Sequence, residues 1–322
     1  VKAAWVILLS LSLGACEHLG FRGFTEYDER SVTVLTANLF DQRLANPMAD
    51  DSWKADWLFR RARLELIDQS LRITRPDMIV FQDLIAKRGS PSDSDRNILA
   101  QGSLEGYQWH SYLDRFYEDT QEKAYQSLAV SLPLKIDRSY QGGIMPVGKA
   151  GAVSFYRLIM EDEPILVVNA NMPSSQVSVD AWYPILLDLI RQQLERSQTC
   201  LDRLIVTGYL PGYSAWSGYQ NLLQSLQLKD SSAGYCEVNE ECLTGAAVND
   251  IFRLTTEGDA GGRFDKVLVP RSTIVLASQR AMDNFSQTSR HAERYGLDKL
   301  WPTRRFAWLA NLRLARCQSP NS

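Results

Sequence analysis

Seven side chains stand at the ends of apolar runs, where a folded chain can gather charge and hydrogen-bonding capacity at one edge of a sheet. Asn38 closes Val34-Leu35-Thr36-Ala37, Asp83 follows Met78-Ile79-Val80-Phe81-Gln82, and Asn171 closes Val167-Val168-Asn169-Ala170. Tyr209 follows Leu204-Ile205-Val206-Thr207-Gly208, Asp265 precedes Lys266-Val267-Leu268-Val269, and Arg304-Arg305 precede Phe306-Ala307-Trp308-Leu309-Ala310. Carboxylates as a class can hold divalent cations, and amides can donate to anionic oxygens. Arginine stays protonated at any working pH, so Arg304 and Arg305 can hold an anion but cannot take a proton from water. If Asp83 and Asp265 meet without a cation they repel, and an arginine could supply the missing charge. The alternative is that both arginines point to solvent.

General-base chemistry has few other sources. The chain has three histidines, His18, His110 and His291. His18 falls in a polar stretch, His110 lies among the aromatics Tyr107, Trp109 and Tyr112, and no apolar run directly follows His291.

The elements that must position these residues are legible as alternating runs. Strands are expected at Val32 to Ala37, Met78 to Phe81, Leu128 to Leu132, Ala152 to Leu158, Ile165 to Ala170, Arg203 to Thr207, Phe264 to Val269 and Phe306 to Leu314;. Helices are expected over Trp53 to Arg72, Val179 to Arg196 and Gly218 to Leu226, the first with Trp53, Trp57, Leu64, Ile67 and Leu71 on one face;. Lys87 to Asp95 reads as a polar loop;. Strands interleaved with a few helices, with no shift in composition, make one mixed α/β domain.

At 322 residues, 45% hydrophobic and 23% charged, the chain is long enough to bury a large core;. A net charge of -3 gives no bulk pull toward nucleic-acid phosphates, so nucleic acid is not an expected partner;. The first residues differ from the rest. Lys2 precedes an apolar run from Ala3 to Leu13, and Leu13-Gly14-Ala15-Cys16 follows. The run is too short to span a bilayer and ends in small residues. It resembles the bacterial lipobox, which implies removal of 1–15, lipidation of Cys16 and a linker over 16–30. Glu17 in place of Asp favours the outer membrane over the inner. A plain secretory signal or an N-terminal anchor is the other reading.

Export would place Cys200, Cys236, Cys242 and Cys317 in an oxidising compartment. The favoured pairings are Cys236 with Cys242, closing a small loop, and Cys200 with Cys317. A zinc site is disfavoured, since no Cys-X-X-Cys occurs and histidine is scarce;.

Taken in order, these runs resemble the endonuclease/exonuclease/phosphatase superfamily, the DNase I-like fold, from Ser31 to Leu314. The resemblance implies an α/β domain over 31–316 with a tail at 317–322. Its architecture would be a four-layer sandwich, two packed mixed β-sheets flanked by helices. It also implies Mg²⁺-dependent phosphodiester hydrolysis where the full residue set is present. Here the set departs from the pattern at most landmarks. Arg75-Pro76-Asp77 and the strand to Gln82 match, but Asp83 stands for a Glu and is one methylene shorter, and Asn171 stands for a His. Gly208-Tyr209-Leu210-Pro211 replaces Gly-Asp-X-Asn, while Arg263-Phe264-Asp265 keeps its Asp. Pro302-Thr303-Arg304-Arg305 replaces Pro-Ser-Asp-His. The expectation is a lipid-anchored envelope protein that has lost metal-dependent hydrolysis and binds an anionic ligand or an envelope protein, with no cofactor. Two alternatives stay open. One is a weak or rewired phosphodiesterase or phosphatase using Mg²⁺ at Asn38, Asp83 and Asp265. The other is an envelope scaffold docking through Trp109, Tyr112, Phe116 and Tyr117.

Overall fold

Side-chain alternation with a period of two divides the first strand between two cores. In β1 (Ser31–Asn38), Val32 and Val34 join one buried cluster while Leu35 and Ala37 join another. The same split runs through β2 (Met78–Lys87), where Met78 and Val80 face inward and Ile79 and Phe81 face outward. The computed structural model describes residues 31–39, 57–87, 94–117, 122–147, 151–172, 179–210, 216–236, 265–282 and 307–317. Within them, β1 and β2 pair in parallel, with Asn38 beside Gln82.

Four further strands complete this first sheet: β3 (Gln108–Tyr117), β4 (Glu122–Val130), β12 (Ile274–Ala281) and β13 (Ala307–Arg313). Their order is β12-β13-β1-β2-β4-β3. The second sheet is built on β5 (Lys135–Ile136), β7 (Gly151–Met160), β8 (Glu163–Asn171), β9 (Leu204–Tyr209), β10 (Leu228–Asp230) and β11 (Asp265–Pro270). It runs β10-β11-β9-β8-β7-β5, with β6 (Gly143–Val147) also on β7. Here too a parallel pair sits centrally, and β8 and β9 place Asn171 beside Tyr209.

The two sheets enclose an apolar core that includes Val34, Val80, Leu128, Trp308, Val167, Ile205 and Val267. Helices cover the outer faces. On the first sheet, α1 (Trp57–Thr74) lays Leu64, Ile67 and Leu71 on Leu35, Ile79 and Phe81. Beside it, α2 (Asp95–Gln101) is capped by the Ser94 hydroxyl, which accepts from the Asn97 N–H at 3.2 Å;. Asp95 accepts from the Ile85 N–H at 2.7 Å and ties that helix to β2. On the second sheet, α3 (Val179–Ser197) and α4 (Ser217–Ser225) bury Tyr183, Leu186, Ile190 and Leu222 on Leu166, Val168 and Val206. The result is the four-layer α/β arrangement of two mixed sheets expected from sequence.

The aromatic stretch of β3 divides between environments. Trp109 stacks on Phe81 with ring centroids 5.8 Å apart, and Tyr112 lies 5.2 Å from Tyr156, while Phe116 is 43% exposed. Two of these rings, Trp109 and Tyr112, are therefore partly buried against the core. Cys200 and Cys317 form a disulfide that fastens the chain beyond β13 to the segment leaving α3. Cys236 is also disulfide-bonded. Cys242, paired with it on sequence, lies outside the described residues, as do Cys16, His18, His291, Trp53, Arg304 and Arg305.

Gly208 is fixed by its geometry. Its φ is +117°, and a Cβ there would lie 2.1 Å from the Ala170 carbonyl oxygen on β8. No side chain fits between these paired strands, and L-residues avoid that φ. Gly208→Ala is expected to cost about 2–4 kcal/mol through strain and overpacking, measured by urea denaturation followed by circular dichroism.

Candidate functional site

Asp83 reaches the space between the sheets through a backbone irregularity. By strict alternation it would follow Phe81 onto the helix-covered face. The pairing of β2 with β4 shifts between Phe81 and Leu84, and Asp83 adopts a φ of +60°. Two β2 residues, Gln82 and Asp83, thus oppose one on β4, a β-bulge that re-aims a side chain. The left-handed φ is one that aspartate tolerates better than most residues. Both side chains then enter the interior, where Gln82 is 0% and Asp83 1% exposed.

The Asp83 carboxylate is held from both sheets. Asn38 Nδ2 donates to Oδ2 at 3.1 Å from the end of β1, and Asn171 Nδ2 donates to Oδ1 at 3.2 Å from the end of β8. The same Asn171 nitrogen lies 3.3 Å from Asp114 Oδ2. Ionised carboxylates only accept, so the Asn171 amide must turn its N–H₂ toward both. Asp114 comes from a second bulge, between Leu113 and Arg115 on β3. Its side chain is only 3% exposed, with Arg115 Nε 3.8 Å from Oδ1 and Gln126 Nε2 3.3 Å from Oδ2.

The network continues through β4 and β7. Gln126 donates to the Ala152 carbonyl at 2.9 Å and accepts from the Ser154 hydroxyl at 2.7 Å. Tyr156 donates to the Gln126 carbonyl at 3.0 Å, and burial pushes its hydroxyl pKa up, keeping it a neutral donor;. A second cross-sheet bond runs from Gln82 Nε2 to Asn169 Oδ1 at 2.8 Å, returned by Asn169 Nδ2 to the Phe81 carbonyl at 3.0 Å.

The structure thus joins three of the sequence candidates, Asn38, Asp83 and Asn171, directly. Tyr209 and Asp265 sit beside them on the second sheet as cross-strand neighbours, 5% and 1% exposed. β13 starts at Ala307 with Trp308 opposite Thr36, so the chain enters that strand at the edge where Asn38 lies. Asp114 and Gln126 are the members that sequence reading missed. Gln126 carried a signal, a polar residue at an inward position two before Leu128. Nothing in Leu113-Asp114-Arg115 marks a bulge.

Mg²⁺ demands near-octahedral oxygen ligands, whereas both Asp83 oxygens accept amide N–H groups whose positive ends oppose a cation. No three His, Cys, Asp or Glu side chains gather at ligand spacing among the described residues. Nor does His110, the one histidine there, reach the cluster. It packs 4.6 Å from Tyr112 and 5.7 Å from Tyr156. Burial, helped by Arg138 and Arg96, lowers its pKa and keeps it neutral.

No family model and no curated protein sequence matches the chain. Solved structures do. The human Nocturnin catalytic domain superposes with a TM-score of 0.62 at 11% identity, covering 89% of this chain and 95% of that one. An endonuclease/exonuclease/phosphatase family protein from Bacteroides thetaiotaomicron gives 0.60 at 15% identity, covering 89% and 98%. A mannosyl-6-phosphatase from the same organism gives 0.60 at 15%, covering 87% and 99%. At these identities the likeness is one of fold, and the chain has the DNase I-like fold of endonuclease/exonuclease/phosphatase proteins.

Two outcomes follow from the site. In a double-mutant cycle of Asp83→Ala and Asn171→Ala, a coupling energy of about 1–3 kcal/mol is expected for a buried, charge-assisted hydrogen bond, read from urea denaturation; additivity would count against the contact. For His110 the folded pKa lies below the unfolded one, so its contribution to stability is present above about pH 6.5 and lost as pH falls below that value. Melting temperatures between pH 7.5 and pH 5 should decline less steeply in His110→Phe than in the wild type.

Proposed function

We propose that this domain binds an anionic ligand or a protein partner in the bacterial envelope and does not hydrolyse phosphodiesters. The observation that carries the reading is the state of Asp83. Its two oxygens accept from Asn38 and Asn171, so two neutral amides occupy directions that a catalytic cation would need. Tyr209, a neutral phenol, stands where a water-orienting carboxylate would be required, and a tyrosine hydroxyl is a poor base near neutral pH;.

Arg304 and Arg305 complete the proposal. They precede Ala307 by three and two residues, so backbone length keeps their Cα atoms within about 11 Å of that strand end. Each carries a permanent charge on a guanidinium fork, the chemistry suited to a phosphate or carboxylate ligand. The lipobox-like Leu13-Gly14-Ala15-Cys16 supports a tether to the envelope, in the outer rather than the inner membrane, with a second acyl chain making the anchor stable.

The test is an assay of purified protein with Mg²⁺, Mn²⁺ or Ca²⁺ on phosphodiester and phosphomonoester substrates, beside Asp83→Ala and Asp265→Ala. No metal-dependent turnover above that of either variant is expected. Turnover abolished in both single variants would establish an enzyme instead. A pull-down from solubilised envelope should lose its specific partner in Arg304→Gln/Arg305→Gln; a partner retained by that variant would assign the surface elsewhere.

A further inference from the structure

We infer that the cleft between the β5–β6 connection and the C-terminal end of α3 binds a small soluble oxyanion, a phosphate or phosphate monoester, at a site separate from the Asp83 cluster. The cleft has a volume of about 320 Å³ and is lined by Ser139, Tyr140, Gln141, Arg157, Arg196 and Gln198 among others. That lies at the small end of the range for ligand sites and leaves room for a phosphate with a short polar body.

The walls are fixed before any ligand arrives. Tyr140 donates to Gln193 Oε1 on α3 at 2.5 Å. Asp137 Oδ1 accepts from both the Ser139 N–H at 2.9 Å and the Ser139 hydroxyl at 2.6 Å, while Oδ2 accepts from Arg157 Nη1. The Ser139 hydroxyl, then Arg157, hold the Asp137 carboxyl below its usual range, so it stays ionised. Even so, Asp137 offsets only one of the two arginines. Arg196 is exposed and makes no ion pair among the described residues. The cleft therefore keeps one net positive charge, supplied from two elements.

Both guanidiniums act on the same point. Burial pushes the Tyr140 hydroxyl up to about 12, and Arg196 and Arg157 each pull it back down. Two cations lining one cleft suit a ligand that presents several acceptor oxygens on one small centre, and guanidinium forks match such a ligand;. Gln141, Gln198 and Ser139 add neutral partners for hydroxyl groups. The carbonyl end of α3 opposes an anion, and Arg196 in its last turn offsets it;. Apart from the Tyr140 ring the named lining is polar, which fits a soluble molecule better than a lipid.

The site is independent of the candidate functional site. Arg157 lies on β7 five residues beyond Ala152, the residue paired with Asn171, or roughly 17 Å along the strand. It also shares the helix-covered face with Phe155, whereas Ser154 and Tyr156 point between the sheets.

Isothermal titration calorimetry of the full chain with inorganic phosphate at low ionic strength tests this. A saturable event is expected that weakens about tenfold or more in Arg196→Gln, as loss of a charge-assisted contact implies. Arg157→Lys, which keeps the charge beside Asp137 but loses the fork, should weaken it similarly. Thermal melts establish that each variant is folded, and Arg196→Gln changes an exposed side chain. Absence of saturable heat would overturn the inference. So would affinity unchanged in Arg196→Gln, including the case where phosphate is lost only in Arg304→Gln, which would move the anion to the site proposed above.

Discussion

One buried carboxylate, bonded across the gap between two sheets, organises the polar interior of this protein. Asp83 projects from β2 and is met by amides from β1 and from β8, the latter belonging to the opposite sheet. A carboxyl group this deep in the molecule is tolerated only when its oxygens find partners. That requirement reaches backwards into the backbone, because Asp83 faces inward only through a bulge and a left-handed φ. It also reaches outward, since Asn171 must serve Asp114 as well. A demand made by two oxygen atoms thereby sets the local register of β2 and the orientation of an amide on β8.

The surrounding apolar core and this polar cluster divide the work. Val34, Val80, Val167, Ile205 and Val267 bring the sheets together without directional preference;. The bonds Asp83–Asn171 and Gln82–Asn169 add direction, because hydrogen bonds tolerate little lateral offset. A slide of one sheet over the other would leave apolar contact largely intact but strand charged and polar groups. Sheet-on-sheet alignment is therefore set at the end of the parallel strands, where the polar residues sit.

Much of this was legible in the residues. Buried strands such as Val167-Val168-Asn169-Ala170 are nearly continuous apolar runs, and α3 keeps a clear helical period, so both are found within a residue or two of their ends. The edges were harder. β3 mixes Gln108, Ser111, Asp114 and Arg115 with aromatics, because an edge strand has only part of its surface to bury. Of the polar loop expected from Lys87 to Asp95, residues 88–93 lie outside the described residues; α2, which starts at Asp95, was not anticipated, since its seven residues bury little beyond Leu99 and Asp95. At the site, the resemblance to the endonuclease/exonuclease/phosphatase landmarks pointed to Asn38, Asp83 and Asn171, each following an apolar run. Asp114 escaped because its role depends on a bulge, and bulges arise from the pairing of distant segments rather than from local pattern.

The position of β1 has a mechanical meaning. It is the first strand of the domain, yet it lies inside its sheet, antiparallel to β13 on one side and parallel to β2 on the other. Tension transmitted through the chain preceding Ser31 would therefore pull along a strand bonded on both flanks. The hydrogen bonds of two ladders would be loaded together in shear instead of opening one after another from an edge. A domain tethered by its amino end would thus carry load through an interior strand of the sheet, with the Asn38–Asp83 contact at the far end of the same strand.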